Sequence, residues 1–373
     1  MRILWIPHTG WHIPQRAHLF CRALAERHEV HVTDWVADFA TPRDYLSQRY
    51  LENFTYRRYH DSTIIVHGIP RISPALYTSI LRRFNTWLFE RFVQQIVKQY
   101  QIDVVVGTFV VPPPKAPRVV FDLFDDNVAY WRSYGRVAEY ANEIKQTEQL
   151  YLQTADAIVA ASHVLRQQAS MRGARGEIHL IPNGIDLKRF VTTKRDAIRS
   201  ELGVQGKLVG VVGSHDKICE LDNILDAAQI LANENITFLI AGRGNALPYA
   251  QKRALKQNIT NVIWKGYVTP DQAVDLVSAL DVGLCPYKKT PGADASSPMR
   301  LLMYTAAGVP TVCTDLTSVR EMRLPNTVLV ADNSQALVEG ILTALQLPRQ
   351  RPAEIETYNL PCLVKKYEAV LSR

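Results

Sequence analysis

Apolar runs and helical stripes alternate along the chain in two halves of similar rhythm. Residues 2–6 (RILWI) read as a buried strand. A turn containing Gly10 follows, then a helix over about 14–28 whose inward stripe is Ala17, Phe20, Cys21 and Leu24. A strand at 29–33 (EVHVT) comes next. The second half repeats this with KLVGVVG (207–213), a turn, a helix over 223–233 and the strand TFLIAG (237–242). Strand, glycine turn, helix, strand is the unit of an open parallel sheet. Short apolar runs at 103–107, 118–122, 156–161, 177–181, 261–266 and 281–286 read as further strands with helices between them. Thr269-Pro-Asp-Gln272 opens one helix with a capping box and proline at its first position. In SSPMRLLMYTAAGVP (296–310), Ser297 suits a cap and Pro298 the first turn, and Gly308 with Pro310 stops the helix before a strand at 310–314.

The polar stretch 186–206 separates the halves. The predicted class is therefore α/β, with two Rossmann-like doubly wound domains at 1–195 and 196–355. A terminal amphipathic helix within 356–373 is expected to pack back toward the N-terminal domain. Ligands of such sheets bind beyond the carboxyl ends of the strands, which makes a cleft between the domains the expected site.

Composition narrows the partners. The chain has 373 residues, 47% of them apolar, enough for two cores. No apolar run has the length to cross a bilayer, and the first residues read as a strand and turn, not a signal peptide. The five cysteines are scattered without a CxxC pair, as in reduced cytoplasmic proteins. A net charge of +7 favours anionic partners: nucleotide phosphates, anionic lipid or nucleic acid. No nucleic-acid module is recognisable, so nucleic acid is not an expected partner.

Five stretches carry candidate chemistry, each with a structural alternative. In PHTGWHIPQR (7–16), Gly10 lets a turn pass close to a ligand, and Gln15 and Arg16 lie in or near the first turn of a helix; the alternative is an ordinary strand-to-helix turn. His8, His12 and His18 lack metal-ligand spacing, and no metal is expected. In VFDLFDDNVAYW (120–131), Asp122, Asp125 and Asp126 end a strand. They suit an acceptor hydroxyl, a proton or a divalent cation, or else Asp126 or Asn127 caps the next helix. In VVGSHDKICELD (211–222), Gly213 gives a tight turn and Lys217 is either a diphosphate ligand or a solvated lysine. IAGRGN (240–245) lacks the third glycine of a dinucleotide fingerprint, and there is no P-loop. In the stretch at 296–310, the backbone N–H groups of Met299 and Arg300 have no intrahelical acceptor. A phosphate there gains the helix field and the Arg300 guanidinium; the alternative is that Ser297 caps and Arg300 faces water.

The order of these pieces resembles the retaining, nucleotide-sugar-dependent glycosyltransferases of the GT-B fold, in the family 4-like group, over nearly the whole chain. The resemblance rests most on ADAIVAASHVLRQQ with IHLIPNGIDLKRF (155–190) and on LDVGLCPYKKTPGADASSPMRLLMYTAAGVPTVCTD (280–315). GWHIPQRAHLFCRALAERHEV and FDLFDDN are similar to a subgroup that makes cell-surface polysaccharides. The resemblance implies an acceptor held mainly by the N-terminal domain, with Trp11, Gln15 and Arg16, and a nucleotide held mainly by the C-terminal one. It places Gly10 beside the donor, and Gly213, Ser214 and Lys217 near the diphosphate, where Ser214 stands in for a usual arginine. It places Tyr267 at the base, and Ser296, Ser297, Pro298, Met299 and Arg300 around the phosphates. Met303 stands where the family carries a ribose-holding glutamate, and Ala295 where it carries the partner glutamate; Asp294 lies beside the latter.

The implied reaction moves a sugar from a UDP- or GDP-linked donor to a hydroxyl of a glycan, lipid-linked or small acceptor, with retention. No cofactor is required, the leaving phosphate assists proton removal, and Asp125 or Asp126 orients the acceptor. A nucleotide-sugar epimerase of the same fold and a catalytically degenerate glycan- or nucleotide-binding protein are the alternatives; a nicotinamide-dependent dehydrogenase is more distant. Apolar residues at helical spacing across 77–100, with Arg82 and Arg83 among them, suit either packing on the sheet or contact with an anionic membrane surface. The expected location is cytoplasmic, with peripheral attachment at the inner membrane face tied to that second alternative.

Overall fold

The computed structural model describes residues 1–13, 15–35, 54–72, 78–132, 138–191, 194–216 and 218–373. Internal contacts divide the chain into two compact units, Met1–Pro182 with Leu360–Arg373, and Asn183–Asn359. The residues 183–195, expected with the first domain, thus group with the second, because Ile185, Leu187 and Phe190 are buried in its core. No helix among the described residues is long and apolar enough to cross a membrane.

The first unit is built on an eight-stranded sheet. Its strands are β1 (Arg2–Trp5), β2 (Glu29–Asp34), β3 (Arg57–Asp61), β4 (Ile64–Gly68), β5 (Val104–Gly107), β6 (Val119–Leu123), β7 (Ala157–Ala160) and β8 (Glu177–Leu180), in the order β3-β4-β2-β1-β5-β6-β7-β8. All neighbours pair in parallel except β3 with β4. That antiparallel edge is not foreseen above: β3 is polar and largely exposed, so it lacks the apolar run that marks the inner strands. The helices are α1 (Arg16–Leu24), α2 (Ser79–Gln99), α3 (Asn127–Arg132), α4 (Ala138–Thr154) and α5 (His163–Met171). The α1 stripe does face inward, with Ala17, Phe20, Cys21 and Leu24 all buried.

The second unit carries β9 (Lys207–Ser214), β10 (Ile236–Arg243), β11 (Val262–Gly266), β12 (Val282–Cys285), β13 (Thr311–Thr314) and β14 (Thr327–Val330), all parallel, in the order β11-β10-β9-β12-β13-β14. Its helices are α6 (Arg195–Glu201), α7 (Leu221–Ile230), α8 (Leu247–Lys256), α9 (Pro270–Ala279), α10 (Pro291–Ala295), α11 (Met299–Ala306), α12 (Thr317–Met322) and α13 (Ser334–Ala344). The Thr269 capping box at the start of α9 is present. The strand order reverses direction at β9 and β12, which makes the end of β9 the switch point where ligands of such sheets sit. The last helix, α14 (Leu360–Ser372), packs with α1 in the first unit, and its Tyr367 ring lies 5.2 Å from Trp5 and 5.0 Å from Phe20.

In α2, one face carries Phe89, Val93 and Ile96 into the first unit's core. Ile80, Phe84 and Trp87, one to two turns apart along the helix, are instead 76%, 41% and 48% exposed. Arg83 is exposed, and Arg91 stacks over Trp87 at 5.1 Å. Arg82 is not part of that surface, because its guanidinium is buried and forks onto Glu143 at 2.7–3.2 Å.

Candidate active site

The helix α11 is shaped by its sequence as expected at its C-terminal end and differently at its start. Gly308 adopts φ +68, its N–H meets Thr305 O at 3.0 Å, and Val309 N–H meets Tyr304 O at 2.9 Å, a Schellman closure. At the start, Pro298 rather than Ser297 occupies the cap position, and no side chain caps the helix. Ser297 is a buried tie to the loop before it: its Oγ accepts from Asn183 N–H at 3.3 Å and its carbonyl from Asn183 Nδ2 at 2.5 Å. Ser296 turns its hydroxyl back to Ala293 O at 2.8 Å. The amides of Met299, Arg300 and Leu301 therefore have no acceptor within the helix and no capping side chain.

Two side chains one turn apart fasten α11 to the end of β9. The Tyr304 hydroxyl accepts Val212 N–H at 2.9 Å, its ring lying over Gly283, where a Cβ would collide with it. Arg300 does not face water. It is 7% exposed, and it donates from Nε to Val212 O at 3.1 Å and from Nη2 to Ser214 O at 2.6 Å, with Tyr287 5.7 Å beneath it. Its third contact is from Nη1 to the Cys219 sulfur at 3.8 Å, so its partners are two neutral carbonyls and a thiol. Among the described residues Arg300 has no carboxylate within ion-pairing distance, so its charge is buried without a counter-ion. A buried charge in that condition is costly unless something supplies the opposite sign. His215 reports the same field: burial, and then the Arg300 charge, lower its pKa to about 4, leaving a neutral ring that shares Ala241 O at 3.0 Å.

Arg300, Met299 and Met303 line a cavity of about 250 Å³ together with Gly213, Ser214 and Tyr287. Gly213 is held at φ +131, and a Cβ there would stand 3.4 Å from Arg300 Nη2. Gly242 pairs with it across β9 and β10, and a Cβ at Gly242 would run into Gly213 O, while one at Gly244 would run into the His215 backbone; these two close approaches account for the glycines of IAGRGN. Five of the expected donor residues thus meet on one wall. Tyr267 is not among them: it is 61% exposed under the Arg243 guanidinium, 5.1 Å away. Lys217 lies outside the described residues. Asp294, beside Ala295, accepts Thr317 N–H at 2.7 Å at the start of α12. Sequence reasoning missed Tyr287, His215 and Asn183. Only Asn183, inside IPNG, offers a signal, as a loop amide next to proline and glycine.

In the first unit, several expected acceptor residues are engaged with neighbours inside the unit. Arg16 is buried and pairs with Asp122 at 3.2 Å, also donating to Ile181 O at 2.8 Å. Burial holds the Asp122 carboxyl above its usual range although Arg16 pulls the other way. Trp11 is 3% exposed: its backbone N–H meets Asp34 at 2.6 Å, its indole N–H meets Asp61 at 2.8 Å, and its ring stacks on His18. Gln15 precedes α1 and donates to Thr9 Oγ1 at 2.8 Å. Gly10 has a packing reason, since a Cβ would sit 2.4 Å from Trp35 O.

Gly10 also lines a cavity of about 290 Å³ with His8, Trp35, Arg71, Trp131 and Tyr140 among its walls. Asp126 caps α3 through Ala129 N–H at 2.9 Å. Asp125 accepts Asp126 N–H at 3.0 Å, and burial lifts its pKa to about 7, against that hydrogen bond. Among the described residues no group of three or more His, Cys, Asp or Glu side chains is arranged to hold a metal.

Comparison with known proteins agrees with this architecture. The Glycosyltransferase Family 4 profile matches residues 14–189, and the Glycosyl transferases group 1 profile matches residues 206–347. TuaH of Bacillus subtilis strain 168, named by inference as a teichuronic acid biosynthesis glycosyltransferase, is 30% identical over 185 residues, 49% of this chain and 46% of TuaH. WcaI of Escherichia coli K12, named likewise for colanic acid biosynthesis, is 28% identical over 230 residues, 58% of this chain and 55% of WcaI. The chain spans about half the length of these curated relatives. Among solved structures, sucrose-phosphate synthase of Thermosynechococcus elongatus superposes with a TM-score of 0.76 at 14% identity, covering 99% of this chain and 98% of that one. Anabaena HepE in complex with UDP and glucose gives 0.70 at 17% identity, covering 100% and 99%. With the family 4 profile over its first unit, the group 1 profile over its second and the paired parallel sheets of GT-B enzymes, this chain belongs to the GT-B glycosyltransferases of the family 4 group.

Proposed function

We propose that this protein transfers a sugar from a nucleoside-diphosphate donor to a hydroxyl of a glycan or lipid-linked acceptor, with retention at the anomeric carbon. The observation that carries the reading is the buried, unpaired Arg300 guanidinium beside the uncapped start of α11 and a cavity. A diphosphate supplies the missing negative charge and the missing acceptors in one group. Charge builds on that diphosphate as the C1–O bond breaks, and fixed donors act most where charge develops. The acceptor oxygen forms the new bond to C1, and its proton passes to an oxygen of the leaving phosphate. A strong protein base is not needed. The complexes of HepE with UDP and glucose and with UDP-glucose support the donor class, and the names of TuaH and WcaI support a polysaccharide acceptor.

Asp125 is assigned to orient the acceptor hydroxyl in the first unit, where the aromatic rings of Trp35, Trp131 and Tyr140 around Gly10 suit stacking on a sugar face. Contact with anionic lipid is assigned to α2, whose exposed Ile80, Phe84 and Trp87 are flanked by Arg83 and Arg91. The test is a panel of UDP- and GDP-sugars with oligosaccharide and polyprenyl-linked acceptors, following nucleoside diphosphate release and the anomeric configuration of the product by NMR. Transfer with retention supports the reading. Inverted product refutes the mechanism, donor converted without an acceptor points to an epimerase, and binding without turnover points to a degenerate protein.

A further inference from the structure

Polar side chains on the wall of the cavity beside Gly10 differ in how far the protein already engages them. Asn85 uses both ends of its amide on Ile72: Oδ1 accepts the backbone N–H at 2.9 Å, and Nδ2 donates to the carbonyl at 2.8 Å. Arg82 forks onto Glu143, and the Thr9 hydroxyl accepts from the Gln15 amide at 2.8 Å. Arg71, Thr86 and Tyr140 also border the cavity. His8, just beyond the end of β1, is different. It is half-buried, and its ring stacks on Phe124 at 4.2 Å with 30° between the planes. Stacking covers a ring face and leaves the edge, which carries both nitrogens. Neither nitrogen has a hydrogen-bond partner among the described residues. Burial lowers the His8 pKa to about 4, so near neutral pH the ring is uncharged, with one acceptor nitrogen and one N–H donor. Polar atoms this deep are normally paired. A sugar lying against the aromatic wall brings hydroxyls that serve either nitrogen. A ring whose charged form is disfavoured by burial holds a hydroxyl without removing its proton.

We infer that His8 touches the acceptor sugar, hydrogen-bonding one of its hydroxyls, and is a specificity-determining residue for that sugar rather than a base. The inference rests on the assignment of the acceptor to this cavity and adds a residue that reads it.

The experiment is steady-state kinetics on the full chain, with the most active acceptor of the panel above and its monodeoxy derivatives. In His8→Ala, the KM for the acceptor should rise about tenfold, as for one lost hydrogen bond, with kcat and the donor KM within about threefold of the parent. His8→Gln keeps an acceptor and a donor and should recover part of the loss. His8→Phe keeps a flat ring against Phe124 without the nitrogens and should be as impaired as His8→Ala; full recovery there assigns His8 to packing and overturns the inference. One monodeoxy derivative should bind about tenfold more weakly than the intact acceptor in the parent and equally well in His8→Ala, because the hydroxyl and the ring are two halves of one bond. If every derivative keeps its parental penalty in the variant, the inference fails while the transferase reading stands. A fall in kcat of about a hundredfold or more at unchanged KM makes His8 a base and also overturns it. Should His8→Ala fail to fold, the deoxy series in His8→Phe and His8→Gln decides. If the parent transfers to no acceptor of the panel, the transferase reading fails and takes this inference with it.

Discussion

Removing Arg300 separates two roles that a buried arginine can play. An arginine that merely fastens α11 to β9 stabilises the empty protein, and its loss lowers stability in the way that breaking a buried ion pair does, by about 3–5 kcal/mol. An arginine whose charge waits for a ligand behaves otherwise. In Arg300→Ala, the carbonyls of Val212 and Ser214 lose their donors, at about 1 kcal/mol each when water from the cavity can replace them. Against this, the variant no longer buries an unpaired charge, which relieves a penalty of several kcal/mol in the opposite sense. The two terms largely cancel, so the empty variant should melt with a stability within about 2 kcal/mol of the parent.

Ligand response should change far more. At a UDP or GDP concentration near 100 times the parent dissociation constant, binding stabilises the folded state by about 2.7 kcal/mol. Losing one charge-stabilising contact costs roughly tenfold to a thousandfold in turnover, and a hundredfold loss of affinity at the same ligand concentration leaves only about 0.4 kcal/mol of stabilisation. Thermal shift with and without nucleotide, alongside steady-state turnover, reads both quantities. Arg300→Lys keeps the charge without the fork and should fall between. A variant that loses several kcal/mol when empty yet keeps its full nucleotide response and turnover refutes the reasoning, since Arg300 would then be a structural strut.

Asp122→Asn removes the carboxylate that faces the buried Arg16 charge, and urea denaturation should show a loss of about 3–5 kcal/mol with nucleotide binding by the second unit retained. Asp125, with its pKa raised to about 7 by burial, favours the fold most when protonated. Its contribution is fully present below the ordinary carboxylate pKa and is lost as pH rises toward and through 7, so Asp125→Asn should gain stability over the parent between pH 5 and 8. If its carboxylate orients the acceptor, turnover should also rise across that interval in the parent and not in the variant, as a pH–rate profile would show. Replacing Phe84 and Trp87 together with serine should abolish sedimentation with anionic vesicles, leave turnover on a soluble acceptor unchanged, and leave the monomer–dimer balance in gel filtration unaltered; a change in that balance instead would assign the face to a second copy of the chain.

The inner strands announce themselves because a strand covered on both faces is a continuous apolar run, as in KLVGVVG and DVVVG, whereas β3 presents Arg57, Arg58 and His60 and has no such run to read. Helix ends were legible where the signal is backbone geometry. Gly308 is required by its left-handed φ, and Thr269 by its reciprocal cap. The signal misleads where a second segment intervenes: Ser297 looks like a cap until Asn183 claims both its hydroxyl and its carbonyl. Arginine is the harder case, because its pattern is the same whether it pairs, packs or binds. Arg16 and Arg82 each sit where the sequence pattern suits an anionic ligand or surface, and each is neutralised by a carboxylate far along the chain, Asp122 and Glu143. Arg300 differs from both in having carbonyls and a tyrosine ring where the carboxylate would be. Burial therefore identifies none of the three as functional. What distinguishes them is the charge balance around each guanidinium, and that balance singles out the one arginine that borders the cavity at the end of β9.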